Sequence, residues 1–306
     1  MLLVIENRHS ATKRKRLNMV TSIKKVSLFR WLHVTLMMSI SLSLASVTFA
    51  HELGLQLYSV RKQMEENLPN AFNQINQWGI KIVEGGGALY GHPVEEYRKQ
   101  LLKNNLQIVS VDASFEELRD NPIAVVYKAR YFGSRFATFY WIPHDAAKGF
   151  GLEDAKGAIE VMNKAGKLLK ENGITLQYHP HGYEFLPHGN GTLLDYIIEN
   201  VEHSAFQMDV FWMKQGGMDP TKILQKYPGR FLSLHLKDRK KGTINSTNGR
   251  ADVEANVVLG TGDVGIASVI AEAKKQGIRY FFIEDESSRV LSQVPKSIQY
   301  LNSLNQ

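Results

Sequence analysis

The chain has 306 residues, of which 37 are Lys or Arg, 30 are Asp or Glu and none is Cys. Eight of the basic residues (Arg8, Lys13, Arg14, Lys15, Arg16, Lys24, Lys25, Arg30) and one acid, Glu6, fall in residues 1–50, which leaves 29 of each sign in residues 51–306. The main part is therefore formally neutral, so net charge gives no support to a nucleic-acid or other polyanion partner. A chain without Cys also owes nothing to disulfides and carries no lipid-modified N-terminal Cys.

The N-terminal part reads as a secretory signal. Lys24, Lys25 and Arg30 form a basic region, Trp31–Phe49 is apolar, and Thr48 and Ala50 place small residues for cleavage before His51. Met19 is a second candidate start, which would make residues 1–18 an over-extended reading frame. An uncleaved anchor is the rival reading, since about 20 apolar residues span a bilayer. The Ser, Thr and His residues between Trp31 and Phe49 weigh against it. The expectation is a periplasmic or secreted protein whose mature part, residues 51–306, is one domain and is not held in a membrane.

From His51 onward, short β-branched or aromatic runs alternate with longer helical patterns, the mark of βαβ units around a parallel sheet. The first strand is Leu53–Tyr58, followed by a helix over Leu68–Trp78 that stops at Gly79. Ile80–Glu84 is the second strand, then comes a turn at Gly85–Gly87 and a helix from Pro93. That turn lacks the Gly-x-Gly-x-x-Gly spacing of a dinucleotide loop. Leu106–Val111 and Arg135–Ile142 are the third and fourth strands, and the helix Leu152–Glu171 ends at Gly173. Ile174–His179, Ala205–Val210, Phe231–Leu236 and Tyr280–Glu284 are the fifth to eighth strands. The intervening helices are Leu193–Val201, Thr221–Tyr227, Val264–Gln276 and Val290–Leu304. Eight such units in about 250 residues predict a closed (β/α)8 TIM barrel, an eight-stranded parallel barrel inside a ring of helices.

Active sites of such barrels lie at the C-terminal strand ends. The polar residues there are Glu84, Asp112, His144 with Asp145, His179 with His181 and Glu184, Asp209, His235 with Lys237, and Glu284. Each has a plain structural alternative: Asp209 can cap a helix, and Lys237 can pair with Asp238 or Glu284. Four consecutive strands that all end in imidazoles or carboxylates form a cluster that a divalent cation neutralises most directly. A mixed Asp, Glu and His shell suits Mn, Co, Mg or Zn. Tyr58, Tyr140, Trp141 and Trp212 offer flat faces to a sugar ring, and Glu84 is a further candidate for substrate binding. Lys237–Lys241 reads as a solvated loop, and Ser59 and Ser110 lack the Gly-x-Ser-x-Gly setting of a serine hydrolase.

Five segments carry a resemblance: Gly54–Arg61 (GLQLYSVR), Tyr178–Phe185 (YHPHGYEF), Met208–Trp212 (MDVFW), Leu234–Asp238 (LHLKD) and Leu259–Asp263 (LGTGD). In this order they resemble the xylose-isomerase-like barrel superfamily, and most nearly its sugar phosphate isomerase/epimerase branch. The resemblance implies a divalent metal held by Glu, Asp, His and Glu at the ends of strands five to eight. Here that pattern falls on the strand-five site, Asp209, His235 and Glu284. Glu184 is the expected first ligand, with His179 the alternative, because the branch carries His-x-His where relatives have a strand-end Glu. Strand three ends in Asp112 where family members often carry His. The candidate catalytic residues, from the chemistry of the strand ends, are His179, His181 and Lys237.

Such a site acidifies the proton between adjacent carbonyl and hydroxyl oxygens of a sugar and stabilises an enediolate. Isomerisation, epimerisation and β-elimination all pass through that intermediate. Export argues for an unphosphorylated sugar or keto-glycoside, since phosphosugars are cytoplasmic, and the branch includes enzymes that cleave 3-keto-glycosides by elimination. A non-catalytic sugar-binding barrel and an endonuclease of the same fold are the alternatives. Neutral charge opposes the second, and the retained Asp209, His235 and Glu284 oppose the first.

Overall fold

The computed structural model describes residues 51–304, and the expected signal segment lies outside the described residues. Eight strands form the barrel: β1 (Glu52–Gln56), β2 (Ile82–Gly85), β3 (Gln107–Asp112), β4 (Phe136–Phe139), β5 (Thr175–Tyr178), β6 (Ala205–Asp209), β7 (Phe231–Leu236) and β8 (Tyr280–Ile283). They pair in sequence order, all parallel, and the sheet closes where β8 meets β1 with Leu53 opposite Phe281. The expected (β/α)8 barrel is the observed fold.

The helices form for reasons visible in the chain. Leu152–Glu171 buries Ala155, Ala158, Met162, Ala165 and Leu169, a stripe at helical spacing that packs against the strands. Full burial of a Leu or Met side chain contributes about 1.5–3 kcal/mol. Pro122–Phe132, a helix that the sequence reading passed over, begins on a Pro at its first turn and stops at Gly133 in the left-handed region (φ 69°). A smaller apolar cluster of Ile82, Val109, Tyr280 and Phe282 draws on barrel strands alone. Ile82 and Tyr280 open their strands, whereas Phe282 lies in register with His235.

The segment after β7 departs from expectation. Lys237, Asp238 and Arg239 are buried, and only Lys240 and Lys241 of the Lys237–Lys241 stretch are exposed. Asp238 accepts hydrogen bonds from the backbone N–H groups of Gly260 (2.8 Å), Gly262 (2.9 Å) and Val264 (3.2 Å), and Arg239 forks onto Asp263 at 3.0 and 2.9 Å. The run Lys-Asp-Arg thus clamps Leu259–Asp263 and fixes a long excursion over the rim. At Gly262 a Cβ would overlap the Arg239 carbonyl oxygen and the Asp238 carboxylate. Backbone cannot step aside as a flexible side chain can, so Gly262→Ala is expected to cost about 1–3 kcal/mol. Urea unfolding checks this; a midpoint equal to the parent would show that the clamp is loose.

Candidate metal centre

Four side chains converge at the C-terminal ends of β5 to β8. Asp209 is the last residue of β6 and also caps the helix Val210–Gln215: its Oδ1 accepts the N–H groups of Phe211 (2.8 Å) and Trp212 (3.1 Å). Its Oδ2 is buried and takes no hydrogen bond, and the same holds for Nε2 of His179, 3.5 Å away. His235 Nδ1 lies 4.0 Å from Asp209 Oδ2 and 3.3 Å from Glu284 Oε2. His179, Asp209 and His235 bring one ligand atom each within 4.8 Å of one another.

The hydrogen bonds beneath this point fix which atoms face it. His179 Nδ1 lies 2.9 Å from Gln207 Oε1, while Gln207 Nε2 donates to both oxygens of Glu84 and to Ser233 Oγ, each at 3.0 Å. The amide oxygen of Gln207 therefore receives the Nδ1 proton, and Nε2 keeps its lone pair. His235 likewise donates from Nε2 to Glu84, which leaves Nδ1 turned toward Asp209 and Glu284. Two buried acceptors that face each other unpaired are unfavourable unless a cation lies between them. Ions with bonds of about 2.1 Å hold their ligands roughly 3–3.5 Å apart. The donor set fits a divalent ion, and Glu84 with Gln207 orients both imidazoles from behind.

The charges balance in the same sense. Burial disfavours the Glu84 carboxylate, but the His235 charge and bonds from His235, Gln207 and Ser110 hold it below the usual carboxylate range. Burial also disfavours the His235 imidazolium, yet Glu84 and Glu284 raise its pKa to about 10. Lys237 is buried between Glu284 (3.3 Å) and Glu286, whose charges keep it firmly protonated. His181 differs: burial and the neighbouring His179 push it well below the usual imidazole value. Its Nδ1 lies 3.2 Å from the His179 carbonyl and donates to it, so Nε2 carries the free lone pair.

Two expectations are corrected. Glu184 is not at the metal point: the 3-10 turn Tyr183–Phe185 folds its carboxylate back onto the Tyr178 hydroxyl and the His181 N–H (3.0 Å), and His179 stands there instead. Glu84 does not face substrate; it is fully buried under the histidines. β2 runs on to Gly85, with a register shift between Val83 and Glu84, so the carboxylate lies one layer below the rim.

Above the point opens a cavity of about 920 Å3 lined by Tyr58, Trp141, His181, Trp212, Lys237 and Glu284, among others. Tyr58 and Trp141 stand half-exposed at its mouth, while Trp212 is buried deeper, 5.1 Å from the His181 ring. The sequence reading missed Gln56, Gln177, Gln207 and Ser233 as parts of the site, and Glu286 as the partner of Lys237. A signal existed: on β5, β6 and β7 a polar residue stands two places before the rim residue (Gln177, Gln207, Ser233), hence on the same face.

The chain belongs to the xylose isomerase-like TIM barrel family, whose model matches residues 72–304. An inosose dehydratase of Clostridium perfringens is 34% identical over 91 residues, a stretch that covers 29% of this chain and 30% of that relative. The chain thus matches about a third of the length of this curated relative. A solved sugar phosphate isomerase/epimerase of Parabacteroides distasonis superposes with a TM-score of 0.68 at 21% identity, over 83% of this chain and 98% of that one. A xylose isomerase-like TIM barrel protein of Mycobacterium smegmatis, solved with magnesium, gives a TM-score of 0.63 at 16% identity, over 83% and 96%.

Proposed function

We propose that this chain is an exported, metal-dependent enzyme that withdraws the proton beside a carbonyl of an unphosphorylated keto-sugar and expels a group from the next carbon. The observation that carries this reading is the unpaired, buried couple of His179 Nε2 and Asp209 Oδ2 at the floor of an aromatic-walled cavity. A divalent cation held there by His179, Asp209, His235 and Glu284 would supply the Lewis acidity that makes a carbon-bound proton labile. Two imidazoles in the set favour Zn, Mn or Co over Mg.

The chain's own groups supply the rest. His181, neutral at neutral pH and fixed in one tautomer, takes the proton at Nε2. Lys237, held charged between Glu284 and Glu286, stabilises the enediolate oxygen. Trp212, with Trp141 and Tyr58 nearer the mouth, provides faces for sugar rings, and the volume suits a substrate larger than a monosaccharide. Two of the lining cations, Lys128 and Lys237, are already paired with Glu117, Glu284 and Glu286, which supports a neutral substrate over a phosphorylated one. The likeness to an inosose dehydratase favours elimination over isomerisation.

The test is incubation of metal-loaded protein in heavy water with free ketoses, inosose and 3-keto-glucosides, followed by NMR. An unsaturated keto-sugar and the released alcohol are expected from the keto-glucosides, with deuterium entering the uncleaved substrate at the carbon beside the carbonyl. His181→Ala should lower both rates by about 10²–10⁴-fold. Bound metal with neither exchange nor turnover would leave the sugar-binding reading in its place.

A further inference from the structure

His181 lies on the β5–β6 side of the metal point, near Trp212. On the β2–β3 side the cavity wall carries a second proton-handling group with no task so far. Asp112 ends β3 and lines the cavity. Its Oδ1 accepts the Tyr140 hydroxyl at 2.8 Å, and its Oδ2 accepts the Gly87 N–H at 3.3 Å. Tyr140 in turn accepts Gln56 Nε2 at 3.1 Å, and its ring lies 5.2 Å from that of His179 and 6.3 Å from that of His235. Tyr140 therefore ties Asp112 to the floor of the site. A Cβ at Gly87 would come within 2.6 Å of the Asp112 Cβ, so only glycine lets this N–H reach the carboxylate. Lys128 reaches this corner but bonds the Asp112 backbone carbonyl (3.0 Å) and Glu117, leaving the Asp112 carboxylate without a bonded cation. Burial, against the pull of the Tyr140 hydrogen bond, pushes Asp112 up to about 6, where it exchanges readily between acid and carboxylate.

We propose that Asp112 is the general acid of the elimination and protonates the departing oxygen, with Tyr140 and Gly87 as the groups that position its carboxyl. The proposal rests on the proton-abstraction reading of the site. On a 3-keto-glycoside, the C2–H bond breaks, its proton goes to His181, and its electron pair becomes the C1–C2 double bond. The C1–O bond breaks with its pair leaving on oxygen, which takes the Asp112 proton. The products are an unsaturated keto-sugar and an alcohol; no oxidant or reductant is needed. Proton exchange with water returns His181 to neutral and Asp112 to the acid.

The experiment compares the parent enzyme with Asp112→Asn on two substrates, methyl and 4-nitrophenyl 3-keto-β-glucoside. Nitrophenolate leaves without a proton, whereas methoxide does not. The variant should cleave the methyl glycoside about 10²–10⁴-fold more slowly and the nitrophenyl glycoside within a few-fold of the parent. In heavy water it should still place deuterium at C2 of the uncleaved methyl glycoside. Tyr140→Phe, which keeps the ring against His179, should show a smaller loss with the same dependence on leaving group. Metal content and thermal midpoint confirm that both variants are folded. Equal losses on the two glycosides, or no loss on either, would overturn the role of Asp112 while C2 exchange in the parent leaves the wider reading standing. A parent enzyme with neither exchange nor cleavage removes both.

Discussion

Asp209→Asn is expected to leave a folded protein that no longer holds its metal. The two oxygens of Asp209 do different work: Oδ1 caps Val210–Gln215, and Oδ2 faces His179 Nε2 unpaired. Asparagine keeps the capping oxygen and turns an amide N–H toward that lone pair, which replaces the cation with a hydrogen bond. Stability should therefore stay near that of the metal-free parent, while activity falls about 10³-fold, the loss of several kcal/mol of charge stabilisation. Asp209→Ala should lose the metal as well, plus about 1 kcal/mol for the missing cap. Metal analysis after gel filtration and a thermal melt of each protein check both parts. Stoichiometric metal in the Asn variant would sink the assignment.

The second large effect is expected at Glu84, which the chain buries completely and pairs with His235 and Gln207. Glu84→Leu takes from buried His235 the counter-ion at Nε2 and leaves it only Glu284, so the metal-free protein should lose about 3–5 kcal/mol. Metal affinity should fall by about 10–100-fold, because His235 and Gln207 lose the group that orients them. The pair also sets a pH dependence. The His235 pKa is raised from 6.5 to about 10 in the folded state, so its contribution is full below pH 6.5 and fades as pH rises through about 10. The Glu84 pKa is lowered, so its contribution is present above its ordinary 4.5 and is lost as pH falls through the folded value. The stability difference between metal-free parent and Glu84→Leu should thus be largest between about pH 4.5 and 6.5 and shrink toward pH 10. Metal-loaded parent should behave in the opposite way, since loading requires a deprotonated Nδ1 and gains strength as pH rises. Urea titrations across pH 4–10 check the window; a difference that grows from pH 7 to 10 would refute the pairing.

The strand ends were legible because each strand is a short apolar run that stops at a polar residue. That placed Asp209, His235, Lys237 and Glu284 on one rim and identified the barrel. Glu184 was misread because sequence distance does not reveal a turn: the 3-10 turn Tyr183–Phe185 follows Gly182 at φ 91°, and the carboxylate is spent on Tyr178 and His181. Glu84 was misread because periodicity counts residues and cannot see the register shift beside it. The Lys237–Lys241 run looked solvated from its charge, yet three of its residues are buried by partners far along the chain.

By itself, then, the sequence determined the fold class, the rim and the chemical kinds of side chain on it, since those follow from local periodicity. Only the tertiary structure decided which lone pairs are left free to meet a cation. His235 turns its Nδ1 inward because Glu84, 151 residues away, takes Nε2, and Gln207 holds both Glu84, 123 residues away, and His179. A hydrogen bond has a direction and one set of partners, and partners so distant are brought together only when the barrel closes.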